Sequence, residues 1–514
     1  MKEKMFCFQC QETCRNTGCT LTGMCGKTAE TANVMDELIR QLQLIALNRE
    51  SGLKLGRFIC RSLFMTLTNV NFDREALQRQ LAQASALAQE AGSSISAGVI
   101  PDKNADVISL RALLLYGVKG IAAYAEHAFA LGKEDESVYR FIFKALRSTA
   151  TETSTDKLFA LTLEAGAAAV KVMALLDGAN TAKFGKPQQL RIKTGTGNRP
   201  GILVSGHDLL DLQELLEQTT DANIDIYTHG EMLPAHCYPG LKKYPHLYGN
   251  YGNSWHLQHL EFASFNGPIL ITSNCITPVQ KSYSKRIFTT GAAGYPGVPH
   301  IPDRVNGKPK DFSQIIALAQ KSAPPEELES STITAGFGHA SLFACTGKIV
   351  EAIESGEIKS LVVMAGCDGR HREREYYTRI ARSLPRDTVI LTAGCAKYRY
   401  NKIITDTVNG IPRAVDAGQC NDCYSLVLFI LKLKEIFGVS DVNDLPVYFD
   451  ISWYEQKAVA VLLALLHLGF RNIRLGPTLP AFLSPAVAAE LMHNFGIKSI
   501  STPKADIKAM ISGE

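Results

Sequence analysis

From about residue 28 to 180, apolar positions recur at helical spacing. Thr31 to Asn48 places Val34, Leu38, Ile39, Leu42 and Ile45 on one face. Asp73 suits the N-cap of a helix from Arg74 to Ala91, with Glu75 in its first turn. Ser109 to Leu131 and Thr155 to Leu176 are long, alanine-rich and apolar on one face, and Gly178 is expected to stop the second. Helices in succession with short links predict an antiparallel bundle. Cys60, in Phe58-Ile59-Cys60-Arg61, reads as a buried helical cysteine.

Thr181 to Pro200 is polar and reads as a linker or the first edge of a new unit. Beyond it, short β-branched runs alternate with helical stretches: Ile202 to Val204, Ile224 to Tyr227, Ile269 to Thr272, Leu361 to Met364, Val389 to Thr392 and Val447 to Asp450. Continuous apolar strands between helices predict parallel sheets covered on both faces. A charged, proline-containing stretch from Ser322 to Ser330 marks a second boundary. The predicted fold is multidomain α and α/β. Residues 1–184 hold a cysteine motif and the helical bundle, 185–330 a first Rossmann-like α/β domain and 331–514 a second.

Composition narrows the class. Hydrophobic residues make up 46% and charged residues 20%, ordinary for a globular protein. Net charge is +4, from 54 basic and 50 acidic residues, too balanced for a nucleic-acid footprint. Apolar runs such as Ala458 to Leu466 fall short of the ~20 residues of a membrane span. Met1-Lys2-Glu3-Lys4-Met5 lacks the apolar core of a signal peptide. A soluble, cytoplasmic protein with no membrane span and no nucleic-acid partner is expected.

Five of the 13 cysteines fall in the first 25 residues: Cys7, Cys10, Cys14, Cys19 and Cys25. Disulfides, a zinc site and an iron–sulfur cluster are the three explanations. A large chain without an export signal favours metal or redox chemistry over staples.

The remaining chemistry follows the strands. Ile202 to Val204 leads to Ser205-Gly206-His207, and Ile224 to Tyr227 to Thr228-His229-Gly230-Glu231. Ile269 to Thr272 leads to Cys275, Leu361 to Met364 to Gly366-Cys367, Val389 to Thr392 to Gly394-Cys395, and Val447 to Asp450 to Trp453-Tyr454-Glu455. Sites in open parallel sheets form beyond the carboxyl ends of strands. Cys420 opens a helix, where the dipole favours thiolate, and completes a CxxC with Cys423. Thiolates alone fit zinc or an iron–sulfur cube, whereas added imidazole and carboxylate suggest iron in mixed sulfide and oxide surroundings.

These segments carry a family resemblance. Phe6-Cys7-Phe8-Gln9-Cys10-Gln11-Glu12-Thr13, Gly23-Met24-Cys25-Gly26-Lys27, Ser205-Gly206-His207-Asp208 and His229-Gly230-Glu231-Met232-Leu233-Pro234-Ala235 resemble the hybrid cluster (prismane) proteins. So do Gly249-Asn250-Tyr251-Gly252, Thr272-Ser273-Asn274-Cys275, Gly366-Cys367-Asp368-Gly369, Ala393-Gly394-Cys395-Ala396-Lys397-Tyr398 and Trp453-Tyr454-Glu455-Gln456-Lys457. The resemblance implies a helical domain and two Rossmann-like domains. It implies a 4Fe-4S cluster on Cys7, Cys10, Cys19 and Cys25, with Cys14 outside the pattern. It also implies a hybrid 4Fe-2O-2S cluster on His207, Glu231, Cys275, Cys367, Cys395, Cys420 and Glu455, where the cysteine matching Cys367 can be a persulfide. Cys237, Cys345 and Cys423 match no ligand and read as structural.

The activity implied is reduction of hydroxylamine to ammonia and water, with electrons from an external redox protein. Glu231 and Glu455 would shift coordination or pass protons. Lys457 would donate a proton or hold substrate, the alternative being a surface lysine. Rival readings keep the site and change its chemistry: nitric oxide reduction, protein S-nitrosylation, or a relative of nickel carbon monoxide dehydrogenase. A zinc-bound structural protein is the non-enzymatic rival. Ile333 to Ala340 and Gly347-Lys348 lack complete nucleotide-binding patterns.

Overall fold

Polar side chains start the N-terminal helices. Thr28 Oγ1 accepts from the Thr31 N–H and caps α1 (Ala29–Asn48). The apolar stripe of α1 then packs inward, with Leu38, Leu42 and Ile45 fully buried. The computed structural model describes residues 4–90 and 102–512; Met1, Lys2, Glu3 and Ala91 of the sequence readings lie outside the described residues. After α2 (Leu53–Met65), which buries Cys60, Asp73 caps α3 (Arg74–Glu90) by accepting from the Glu75 and Ala76 N–H groups. The bundle continues with α4 (Ala105–Ala130), α5 (Glu136–Thr151) and α6 (Thr155–Phe184).

Gly178 does not stop α6. The helix runs six residues further, burying Ala179, Asn180 and Phe184, and ends where Gly185 takes a φ of 85° and donates to the Thr181 carbonyl. A glycine inside a helix costs about 1 kcal/mol, which continued packing offsets, whereas a glycine at positive φ with extended ψ turns the chain out of it.

The polar stretch after α6 is more than a linker. It contains β1 (Leu190–Lys193), which pairs antiparallel with β8 (Thr332–Ala335), Leu190 opposite Ala335. This ribbon joins two six-stranded sheets. The first holds β2 (Gly201–Ser205), β3 (Asp225–His229), β4 (Leu247–Asn250), β5 (Ile269–Ile271), β6 (Ile287–Thr290) and β7 (His300–Ile301), in the order β4-β3-β2-β5-β6-β7. The second begins with β9 (Ser360–Val363) and β10 (Thr388–Thr392). A small hairpin follows, β11 (Thr407–Val408) with β12 (Ile411–Pro412), and then β13 (Ala414–Asp416), β14 (Val447–Ser452), β15 (Ile473–Gly476) and β16 (Lys498–Ser499). Its order is β13-β10-β9-β14-β15-β16. Every pairing within the two sheets is parallel.

Strand order reverses at β2/β5 in the first sheet and at β9/β14 in the second. Loops leaving the carboxyl ends diverge at such points and leave a crevice. His207 and Cys275 follow β2 and β5; Cys367 and Glu455 follow β9 and β14.

The bundle shares one hydrophobic core with the second sheet's helices. The helix Gln456–His467 lies against α4 and α6 at two glycines: a Cβ on Gly120 or Gly166 would strike the carbonyl oxygen of Gln456 or Leu463. That contact anchors the helix that starts right after Glu455.

By length and composition α4 and α6 are apolar enough to cross a membrane, contrary to the reading that the apolar runs are too short. Their most apolar windows are 83% and 50% buried inside the fold, so most of the α4 window and half of the α6 window pack in the interior.

Candidate metal centres

The N-terminal motif folds around its cysteines. Cys7 and Cys19 pair as an antiparallel bridge, exchanging N–H···O bonds of 3.0 and 2.7 Å. A turn from Gly23 to Gly26 returns Cys25 beside them. Cys7, Cys10, Cys19 and Cys25 line a cavity of about 160 Å³. Cys14 does not line it; its backbone N–H points to the Cys19 sulfur at 3.5 Å, as does that of Met24.

Burial pushes the Cys7 thiol up to about 11 and the Cys10 thiol well above its ordinary value. Two buried ammonium groups stand close by. Lys119 donates to Gln9 Oε1 at 2.9 Å, and Lys27 to the Leu67 carbonyl at 3.1 Å. Burial lowers Lys119 to about 8. Four inward thiols in a lysine-flanked cavity fit a cationic iron–sulfur core, which would hold them as thiolates.

The second set gathers where the two sheets' carboxyl ends meet. His207 Nε2 lies 3.6 Å from Glu231 Oε2 and 3.7 Å from Cys420 Sγ, and Glu231 Oε2 accepts the Cys420 N–H at 2.7 Å. Cys275 and Cys395 thiols face each other within hydrogen-bond reach, packed with Trp255, Tyr454 and Cys367. Cys367, Cys420 and Glu455 line one small apolar cavity with Lys457. All seven donors named from the sequence thus fall into this region, supplied by both sheets.

The backbone shows why these positions can serve. Gly366 (φ 109°) and Gly394 (φ 86°) precede Cys367 and Cys395, and a Cβ on either would strike a carbonyl of the neighbouring loop, Ser452 or Gly366. Cys275 has no such glycine and itself takes a φ of 78°, held by its N–H to the Asn69 carbonyl at 3.0 Å. Strain of this kind persists where surrounding contacts over-determine it.

The electrostatics suit a bound cation. Glu231 Oε1 is buried and has no hydrogen-bond partner. Burial raises Glu455 and lifts Cys420 to about 12. Burial, with Lys457 beside it, lowers His207 to about 4. Glu231 moves the other way: burial would raise it, but its contact with His207 and the nearby Lys397 and Lys457 ammonium groups together outweigh that and lower it. Four thiols, two carboxylates and an imidazole around one lysine suit a polynuclear iron centre of mixed sulfur and oxygen ligation.

Lys457 is buried at 1% exposure, so the surface-lysine alternative is wrong. Its ammonium lies 3.1 Å from His207 Nε2 and 2.9 Å from Asn274 Oδ1.

Several residues around the site carried no sequence signal. Gln419 Nε2 donates to the His207 and Glu231 carbonyls at 3.1 and 2.8 Å, binding loops of one sheet to the Cys420 turn of the other. Arg374, fully buried, donates to Ser452 Oγ, the Trp453 carbonyl and Gln11 Oε1, each within 2.8 Å. Ser273 Oγ lies 3.3 Å from His207 Nδ1 and orients the ring. Cys423, read as structural, lines the cavity with Cys367 and Cys420.

Residues 5–508 match the model of the Prismane/CO dehydrogenase family. A hydroxylamine reductase of Nitratidesulfovibrio vulgaris is 51% identical, over 99% of this chain and all of its own. One from Halothermothrix orenii is equally similar over the same shares. Among solved structures, carbon monoxide dehydrogenase IV of Carboxydothermus hydrogenoformans superposes with a TM-score of 0.61, covering 98% of this chain and 92% of its own at 16% identity, a likeness of fold. The family model and the full-length relatives, with the gathered ligands, establish that the chain belongs to the Prismane/CO dehydrogenase family, among its hybrid cluster proteins, and that iron–sulfur centres are its cofactors.

Proposed function

We propose that the chain is an oxidoreductase that reduces hydroxylamine to ammonia and water, taking up two electrons and two protons. The observation that carries this reading is the gathering of seven mixed donors, five of them buried and Cys367 and Cys420 half-buried, around one buried lysine where the two sheets' carboxyl ends meet. The naming of full-length relatives at 51% identity as hydroxylamine reductases supports it.

His207, Glu231, Cys275, Cys367, Cys395, Cys420 and Glu455 would hold a hybrid 4Fe-2O-2S cluster, and Cys7, Cys10, Cys19 and Cys25 a 4Fe-4S cluster. When bound, these supply the electrons and the iron that hydroxylamine reduction requires. The protein's own part is protons and position. With His207 held as a ligand, its Nε2 would not accept from Lys457, and the Lys457 ammonium would be left to protonate the departing oxygen. Glu455 Oε2 accepts the Lys457 N–H at 2.8 Å and fixes the start of that helix. Action in the cytoplasm, with electrons from an external redox protein, completes this reading; the likeness to relatives named hydroxylamine reductases supports it.

Nitric oxide reduction is the second reading, because the cavity at Cys367 and Cys420 is lined by apolar side chains such as Leu426, Val461 and Leu465. Anaerobically purified protein tests both. We expect hydroxylamine-dependent oxidation of a reduced dye with one ammonia per two electrons. Faster turnover of nitric oxide would favour the second reading, and stoichiometric nickel would sink both.

A further inference from the structure

Two adjoining cavities run between the bundle and the first sheet, of about 590 and 300 Å³. Arg61, Glu126, Phe129, Gly291 and Asp303 line both. The outer one opens beside Gln83, which is exposed. At the junction Arg61 bonds Glu126 at 3.1 Å and Asp303 at 2.9 Å, tying α2 to α4 and to the loop after β7. The inner one reaches His127, Thr272 and Ser273, beside the His207 loop.

His127 forms the inner wall. It is 8% exposed, its ring centroid lies 5.9 Å from that of His207, and its Nε2 has no hydrogen-bond partner. A buried ring nitrogen without a partner costs roughly 1–3 kcal/mol, so its retention needs a reason. The mechanism above leaves it unused. Many charged side chains of both signs line the gallery, whereas in the cavity at Cys367 only Glu455 and Lys457 are charged among mostly apolar neighbours; the gallery so suits a small, neutral, strongly hydrogen-bonding molecule.

We propose that this gallery is the substrate's way in, and that His127 positions a small polar nitrogen compound by hydrogen bonding through Nε2 as it passes to the iron site. The inference rests on the reading of that site as a hydroxylamine-reducing centre.

The test uses holoenzyme carrying Gln83→Cys, treated with a bulky, reversible thiosulfonate label; labelled wild type controls for native cysteines. On labelling, kcat/KM for hydroxylamine falls at least roughly tenfold and recovers on reduction, because blocked entry limits that ratio. The label also slows the optical change that cyanide, a small iron ligand, produces in the reduced protein. His127→Phe raises KM with kcat, iron content and dye-driven cluster reduction retained, and His127→Gln restores part of the loss. Unchanged kcat/KM and cyanide entry in the labelled variant would overturn the gallery, and an unchanged KM in His127→Phe would overturn the role of His127. If unlabelled protein turns over no hydroxylamine but the label still slows cyanide, the functional reading fails and the gallery stands.

Discussion

The Gln11 backbone N–H donates a 3.0 Å hydrogen bond to the Tyr454 carbonyl. Gln11 follows Cys10 and Tyr454 precedes Glu455, so one bond joins the N-terminal cysteine motif to the strand-end site. Tyr454 also stacks on Trp255, ring centroids 4.6 Å apart.

Gln456 fastens the same junction. Its Nε2 donates to the Gln9 carbonyl at 2.7 Å, and its Oε1 accepts the Thr68 N–H at 3.0 Å. Gln456→Leu strands both buried groups, at a cost of roughly 1–3 kcal/mol each. The expected outcome is slower electron passage between the two centres with unchanged iron content, read by rapid-freeze EPR after reduction. Unaltered transfer would remove this junction from the relay.

Lys457→Gln keeps a donor near Asn274 but loses the proton. Turnover of hydroxylamine falls by roughly 10²–10⁴, in the range of a lost general acid, while iron per chain stays at the wild-type value. Steady-state assays beside iron analysis check it.

The two kinds of N-terminal cysteine separate cleanly. Cys14→Ala retains the full N-terminal iron, because this thiol lies outside the cavity. Cys19→Ala loses it, since Cys19 lines the cavity and receives the Cys14 and Met24 N–H groups. EPR of the reduced variants distinguishes them.

One phenol lies between two carboxylates: Tyr376 Oη is 2.8 Å from Asp450 Oδ2 and 2.9 Å from Asp506 Oδ2. A hydroxyl carries one proton, so the second contact needs a protonated carboxyl. Burial raises Asp450 to about 7, and Arg474 pairs with Asp506 at 3.2 Å, placing that proton on Asp450. The folded value lies above the unfolded value of ~3.9, so the group's stabilising contribution is complete below pH ~4 and is lost as pH rises through ~7. Asp450→Asn removes that dependence, worth about 4 kcal/mol at most. Apparent Tm at a fixed scan rate, compared at pH 5 and pH 8, should fall less in the variant than in wild type.

The sequence by itself determined the elements and the chemistry they carry. Periodicity located α1, α3, α4 and α6 and the six strands that precede ligands, because apolar spacing is a local property. Six of the candidate ligands, His207, Glu231, Cys275, Cys367, Cys395 and Glu455, stood out because each follows a strand, whereas Cys420 opens a helix. Gly178 misled because a helix stop depends on whether packing continues beyond it, as it does to Phe184. The linker concealed β1, whose partner β8 lies more than 130 residues away.

Only the tertiary structure decided which candidate ligands meet. His207 and Glu231 belong to one sheet and Cys420 and Lys457 to the other, and only the facing of the two carboxyl ends brings them within 4 Å. Tertiary structure also turned Lys457 inward, set Gln419 and Arg374 as cross-links, and carved the gallery to His127. Residue type and local spacing fix what a side chain can do. Contacts between distant segments, through burial and shared hydrogen bonds, fix where it does it.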